Sequence, residues 1–183
     1  MAIATGSPLI TRVLSLLRIG RPTTTERLGL PELKTAPHVD LSRYVGTWYE
    51  LAAYPKRFQK DCMATVATYT ARADGRLDVV NRCREGSLDG KVKGVRGTAR
   101  VTDPRTHSKL EVRFFPLVWG AYWIVEVADD YSWAIVGHPS RDSLWILSRT
   151  PRVDEAQFQA LLERVRAHGY PLDRLRRTPQ RER

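Results

Sequence analysis

Between Thr47 and Arg149 the chain divides into eight short β-patterned stretches, and none of the segments between them could carry a helical parallel crossover. No other feature restricts the fold so much. The stretches fall at 47–54, 64–72, 76–83, 92–102, 108–115, 121–128, 132–138 and 143–149. Turn chemistry separates them, as in "ADGR" around Asp74-Gly75, "DPRTHS" after Val101, "ADDYS" at 128–132 and "PSRDS" at 139–143. Sequential neighbours joined by hairpins pair antiparallel, and eight of them can close on themselves so that no edge is left open. In "SRTPRVDEAQFQALLERVRAHGYPL" the period changes. Phe158, Leu161, Leu162 and Val165 are spaced i, i+3, i+4, i+7 between an N-capping Asp154 and a stop at Gly169. The expected fold is all-β: an eight-stranded antiparallel up-and-down β-barrel with one C-terminal α-helix packed outside.

A core of roughly 140 residues is large enough to fold without staples. The domain is placed at 39–178, with an N-terminal extension at 1–38 and a basic tail at 179–183. The net charge of +10 raises the question of a nucleic-acid partner. Residues 1–38 and 171–183 each carry +3, leaving +4 over the central 132 residues, where acids and bases alternate as on a solvated surface. A basic nucleic-acid barrel of the OB type would have five strands and an exposed stacking face, so no nucleic acid is expected. Ile10, Val13, Leu14 and Leu17 share one helical face with Arg12 and Arg18 off it; the extension is read as an amphipathic surface helix or a disordered segment. The same arginines interrupt the only long apolar run, and Met1 to Asp40 shows neither a secretory signal nor a cysteine for lipid attachment.

Counting strand directions brings three separated stretches to one end of the barrel: "GTW" at 46–48, "DDY" at 129–131 and "SRT" at 148–150. A barrel that holds a ligand at one end must be closed at the other. Trp48 is a suitable plug, Gly46 permits close backbone approach, and the Arg149 guanidinium can stack on an aromatic face while bonding to carbonyls. Asp130 and Tyr131 complete this floor.

"DLSRYVGTWYELAAYPKRFQKDC" and "VADDYSWAIVGHPSRDSLWILSRTP" resemble the three ordered motifs of the lipocalin (calycin) family. The similarity is strongest to bacterial outer-membrane lipoprotein lipocalins of the Blc type, a group akin to apolipoprotein D and plant temperature-induced lipocalins. It covers about residues 38 to 178. The resemblance implies a non-enzymatic lipid carrier for storage or transport in envelope maintenance under stress, in some members a homodimer. It also implies the periplasm or outer membrane. With no lipoprotein signal in Met1–Asp40, the cytoplasm stays open as well.

Ligand-lining candidates follow from strand parity. Leu110, Val112 and Phe114 alternate with Glu111 and Arg113 and are assigned inward. If Glu126 faces solvent, then Trp123, Val125 and Val127 turn inward by the same parity. Trp48 inward carries Glu50 inward unless a bulge intervenes, and Tyr54 closes the strand. Glu50 is then either a hydrogen-bonded structural group or a contact for a ligand's polar head. At the mouth, Lys56, Arg57, Phe58 and Lys60 face Leu117, Val118 and Trp119. This rim suits anionic lipid headgroups, ordinary loop packing or a dimer contact.

Cys62 and Cys83 carry no metal-ligand spacing, so no metal is expected. A hairpin closed at Asp74-Gly75 pairs 66 with 83, which leaves Cys62 four residues out of register. Either a bend before the second strand restores a disulfide, or both thiols stay free. His38, His107, His138 and His168 are scattered, and no nucleophile–histidine pair, phosphate loop or cofactor motif appears. The expected ligand is a fatty acid or lysophospholipid, with no catalytic residues and no cofactor. The alternative is an enzyme on the same barrel, an isomerase or lipid-modifying activity, using a buried Glu50.

Overall fold

A computed structural model describes residues 23–56, 59 and 61–181. The amphipathic reading of Ile10 to Leu17 lies outside these residues, as do Arg57, Phe58 and Lys60. The strands are β1 (Gly46–Ala53), β2 (Cys62–Ala71), β3 (Leu77–Glu85), β4 (Val92–Val101), β5 (Lys109–Phe115), β6 (Val118–Val127), β7 (Trp133–Gly137) and β8 (Leu144–Ser148), with a short β9 (Arg176–Arg177). From β1 to β8 each strand pairs antiparallel with its sequence neighbour, and β1 pairs with both β8 and β2, so the barrel closes. Strand alternation then produces two cores. Residues facing inward, including Trp48, Tyr69, Val79, Leu110, Ile124 and Leu147, form one core inside the lower barrel. The other lies between the outer wall and α3 (Glu155–Ala167), where Phe158, Leu161 and Val165 pack with Leu51, Val125, Ile135 and Ile146. Asp154 caps α3 by accepting from the Gln157 N–H at 2.7 Å, and Gly169 ends it with φ of 79°.

Two segments flanking residues 39–178 pack on the barrel. Residues of the N-terminal extension pack on the barrel: α1 (Thr24–Arg27) docks on the β7–β8 loop through Thr24 Oγ1 to Asp142 at 2.6 Å, and Leu33 and Ala36 are buried. Pro179 and Gln180, expected to be basic tail, are built into the wall. The β1–β2 ladder runs only from Gly46–Tyr69 to Tyr49–Val66, and above it the two strands diverge. The C-terminal strap fills that gap: β9 pairs with β1, the Ala64 N–H donates to the Pro179 carbonyl, and the Gln180 amide donates to the carbonyls of both Glu50 and Thr65. A buried amide thereby supplies the bonds the ladder lacks.

Cys62 and Cys83 are disulfide-bonded. The offset shrinks rather than vanishes: Val66 pairs with Arg82, and a register shift between Met63 and Val66 sets Cys62 opposite Glu85, so Cys83 lies two residues along β3 and the bond runs diagonally over a Cα separation of 5.3 Å. Ala64 takes up the irregularity with φ of 48°.

Candidate functional site

Floor residues come from three elements. Trp48, near the start of β1, is fully buried, and its indole N–H donates to the Tyr44 carbonyl at 2.8 Å. Tyr44 ends α2 (Leu41–Tyr44), a single turn capped by Asp40. Arg149 stacks 3.7 Å from the Trp48 ring centroid. Its guanidinium donates to the carbonyls of Arg43, Tyr44, Val45 and Thr47 at 2.6 to 3.2 Å and to that of Tyr131 at 3.3 Å. The carbonyls freed at the end of α2 are satisfied by one planar cation. Gly46 has φ of 98°, and a Cβ there would meet Arg149 at 3.3 Å. Tyr131 accepts from the Asp40 N–H at 2.7 Å and carries Arg43 over its ring, while Asp130 fixes the turn by accepting from the Ser132 N–H. Gly46, Trp48, Asp130, Tyr131 and Arg149 thus meet at the closed end.

Above the floor lies a cavity of about 310 Å³. Its deep end holds Tyr69 and Tyr122, whose hydroxyls form a chain with Tyr44, each link 2.8 Å long. Burial pushes Tyr69 up to about 12 and raises Tyr44 and Tyr122 well above the ordinary phenol value. One side of the cavity is apolar: Val112, Phe114, Val118, Trp145 and Leu147. On β1, β2 and β3 the lining is mixed, with Glu50, Thr65 and Asn81 beside Ala67 and Val79. Glu50 is 8% exposed, and its Oε1 accepts from Thr178 Oγ1 of the strap at 2.5 Å. Burial raises its pKa, opposed by that hydrogen bond. Glu50 also borders an outer crevice of about 520 Å³, shared with Tyr54, Met63 and Arg176 to Pro179, so it stands in the wall itself. Gly120 borders the cavity with no atom closer to its Cβ direction than the Val112 carbonyl at 3.8 Å.

Of the ligand-lining candidates, Glu50, Val112 and Phe114 border the cavity. Trp48 and Leu110 fill the interior core, and Val127 packs against it. Three candidates face the other way. Tyr54 lies in the outer core with its hydroxyl on the Pro171 carbonyl and its ring edge-on to Tyr170. Trp123 packs against that outer core beneath Lys109, and Val125 is buried within it. Both corrections on β6 have one cause: Ile124 pairs with Val136 and Glu126 with Ile135, so Val125 is an extra residue in a β-bulge. Glu126 does face outward and Val127 inward, but parity flips at the bulge, placing Ile124 and Tyr122 inside. A similar shift at Leu51 falls after Glu50, which therefore stays inward, and puts Tyr54 outside.

The rim also differs from expectation. Lys56 borders the cavity, with Nζ donating to the Asp142 carbonyl and Ser143 Oγ. Trp119 lies on the outer face between Arg100 and Arg113, 4.2 and 4.7 Å from its ring. The reason is that β6 begins at Val118, so "VWG" is strand rather than loop and only Pro116-Leu117 turns. Phe115, Leu117 and Val118 form an exposed apolar tip, Leu117 being 94% exposed. Tyr69, Asn81, Trp145 and Leu147 were passed over in the sequence, although the alternation of "TVATYT" and "LDVVNRC" carries the first two inward. Among the described residues no metal-ligating cluster is present, and no helix is long and apolar enough to cross a membrane.

Residues 39–180 match the family described as "Lipocalin-like domain". The chain belongs to the lipocalin family. Temperature-induced lipocalin-1 of Arabidopsis thaliana is 39% identical to this lipocalin over 158 residues, covering 81% of the chain and 83% of the relative. Outer membrane lipoprotein Blc of Escherichia coli K12 is 36% identical over 135 residues, covering 74% and 76%. The solved structure of insecticyanin from Manduca sexta superposes with a TM-score of 0.66 at 20% identity, over 83% of this chain and 86% of that one, and so shows the fold. Membership supports binding and transport of a small hydrophobic ligand, since lipocalins are in general binding proteins.

Proposed function

We propose that this lipocalin is a non-enzymatic carrier of a fatty acid or lysophospholipid, held with its chain in the barrel and its head at the mouth. The observation that carries the reading is the 310 Å³ cavity, stopped below by Trp48 and Tyr44 and flanked by Val112, Phe114, Val118, Trp145 and Leu147. An acyl chain entering it gains about 0.8 kcal/mol per buried methylene without any specific polar contact. The only lysine or arginine bordering the cavity, among the described residues, is Lys56 beside the mouth, so an anionic head is best accommodated there. The relatives named "Outer membrane lipoprotein Blc" and "Temperature-induced lipocalin-1" support a role in envelope maintenance under stress, in the periplasm or at the outer membrane.

The apolar tip of Phe115, Leu117 and Val118 stands beside Arg113, and we extend the reading to transient contact of this tip with an anionic membrane during loading. Co-sedimentation with anionic vesicles that weakens with salt and with Leu117→Ser supports that contact. A concentration-dependent dimer abolished by the same substitution would instead assign the tip to self-association.

Native mass spectrometry with lipid extraction, on protein purified without detergent, tests the carrier directly. The expected result is one lipid per chain, exchangeable with lysophospholipid in a titration. No lipid recovered and no saturable binding would remove the proposal. Turnover of the bound lipid that Glu50→Gln abolishes, with binding retained, would favour the enzymatic alternative.

A further inference from the structure

Asn81 sits in the middle of β3, pairing with Ala67 on one side and Val95 on the other, and its side chain borders the cavity. Its Oδ1 is the single buried side-chain oxygen or nitrogen without a hydrogen-bond partner among the described residues. Neighbouring polar groups are provided for: the hydroxyls of Tyr44, Tyr69 and Tyr122 bond to one another, Glu50 accepts from Thr178, and the Thr65 carbonyl accepts from Gln180. Buried polar atoms are nearly always paired, so an orphan that faces a ligand space marks a position completed by the occupant. An acceptor calls for a donor. A saturated hydrocarbon segment would leave Oδ1 dry, and a carboxylate would set one acceptor against another with no cation near, because Lys56 is at the mouth.

We propose that Asn81 selects ligands bearing a hydroxyl part-way along the chain, a hydroxylated acyl lipid in preference to its unsubstituted counterpart, with the hydroxyl donating to Oδ1. Depth sets where that hydroxyl must lie. From Asn81 to the upper end of β3 at Glu85 is four residues, about 13 Å along the strand, so with the head at the rim the group sits near mid-chain rather than next to the carboxyl. Asn81 lies in line with Trp48 through Ala67, and Glu50, two residues higher on β1, adds a second polar group bordering the cavity, while Val112, Phe114, Val118, Trp145 and Leu147 are left for the methylenes. Discrimination of this kind is strong because a site built around a buried polar atom penalises the ligand that fails to pair it.

The inference rests on the carrier reading, and one titration separates the two. Calorimetry compares octadecanoic acid with 10- and 12-hydroxyoctadecanoic acid, on the wild type and on Asn81→Leu. At least one hydroxy acid is expected to bind the wild type about 5- to 10-fold more tightly than the plain acid, an advantage that Asn81→Leu abolishes or reverses while octadecanoic acid still binds. Equal or weaker binding of both hydroxy acids to the wild type overturns the selectivity and leaves the carrier standing; binding of none of the three overturns both. The wild-type ratio decides even if Asn81→Leu fails to fold. A wild-type preference that survives in folded Asn81→Leu would overturn the role of Asn81.

Discussion

Arg149 satisfies five carbonyls and covers one face of Trp48, so its removal would expose unpaired acceptors beneath the cavity. Arg149→Ala is expected to lower stability by about 2–4 kcal/mol in urea unfolding, and Arg149→Lys to recover less than half, because an ammonium cannot reproduce the planar fork. Full recovery by lysine would reduce the contact to simple charge. Glu50 makes a different prediction. Its folded pKa lies above the ordinary 4.5, so the folded state holds the proton more tightly than the unfolded chain does. The group therefore costs no stability below that ordinary value and takes stability away as pH rises through the folded pKa. Glu50→Gln keeps an oxygen for Thr178 Oγ1 and cannot ionise. Its melting temperature should fall less than that of the wild type between about pH 4.5 and pH 8, and parallel curves would contradict the assigned burial effect.

Elements were legible wherever one rule governed a whole segment. Eight strands, the helix after them and the three motif stretches at the floor follow from alternation, turn residues and direction counting, because these depend on residue type alone. The cavity lining was legible only in part. Val112 lies where β5 pairs regularly with β4 and before the shift in its pairing with β6, whereas Trp123 and Val125 are displaced by one extra residue whose position depends on pairing with β7. No local sequence marker announces that bulge. The burial of Gln180 was hidden for a similar reason: "PQR" has the composition of a tail, and Gln180 is buried because β1 and β2 separate above Tyr49. Close approach of the outer helix region gives this scale its own prediction. A Cβ at Gly137 on β7 would lie 1.9 Å from the Tyr170 hydroxyl, which packs against Tyr54. Gly137→Ala should therefore cost about 1–3 kcal/mol through displacement of Tyr170, and an unchanged melting curve would show that this region has slack.

For the whole molecule, the closed sheet and the internal space depend on each other. Ladder bonds below and the strap above close the wall between β1 and β2, the Arg149–Trp48 pair shuts the bottom, and the outer core under α3 stiffens one flank. What remains for a ligand is the upper interior, largely apolar on the β5, β6 and β8 side and mixed on the β1–β3 side, where Glu50, Thr65 and Asn81 are found. The concave surface is thereby suited to a small hydrophobic ligand. Gly120 provides the means to test this, because a side chain placed there enters the cavity without meeting backbone. The decisive measurement is calorimetric titration of fatty acid or lysophospholipid into wild type and Gly120→Phe, with melting curves on both. The expected result is saturable one-to-one binding by the wild type and at least a tenfold loss in a Gly120→Phe protein of unchanged stability. Equal binding by the two would contradict it, since the ligand would then lie somewhere other than inside the barrel.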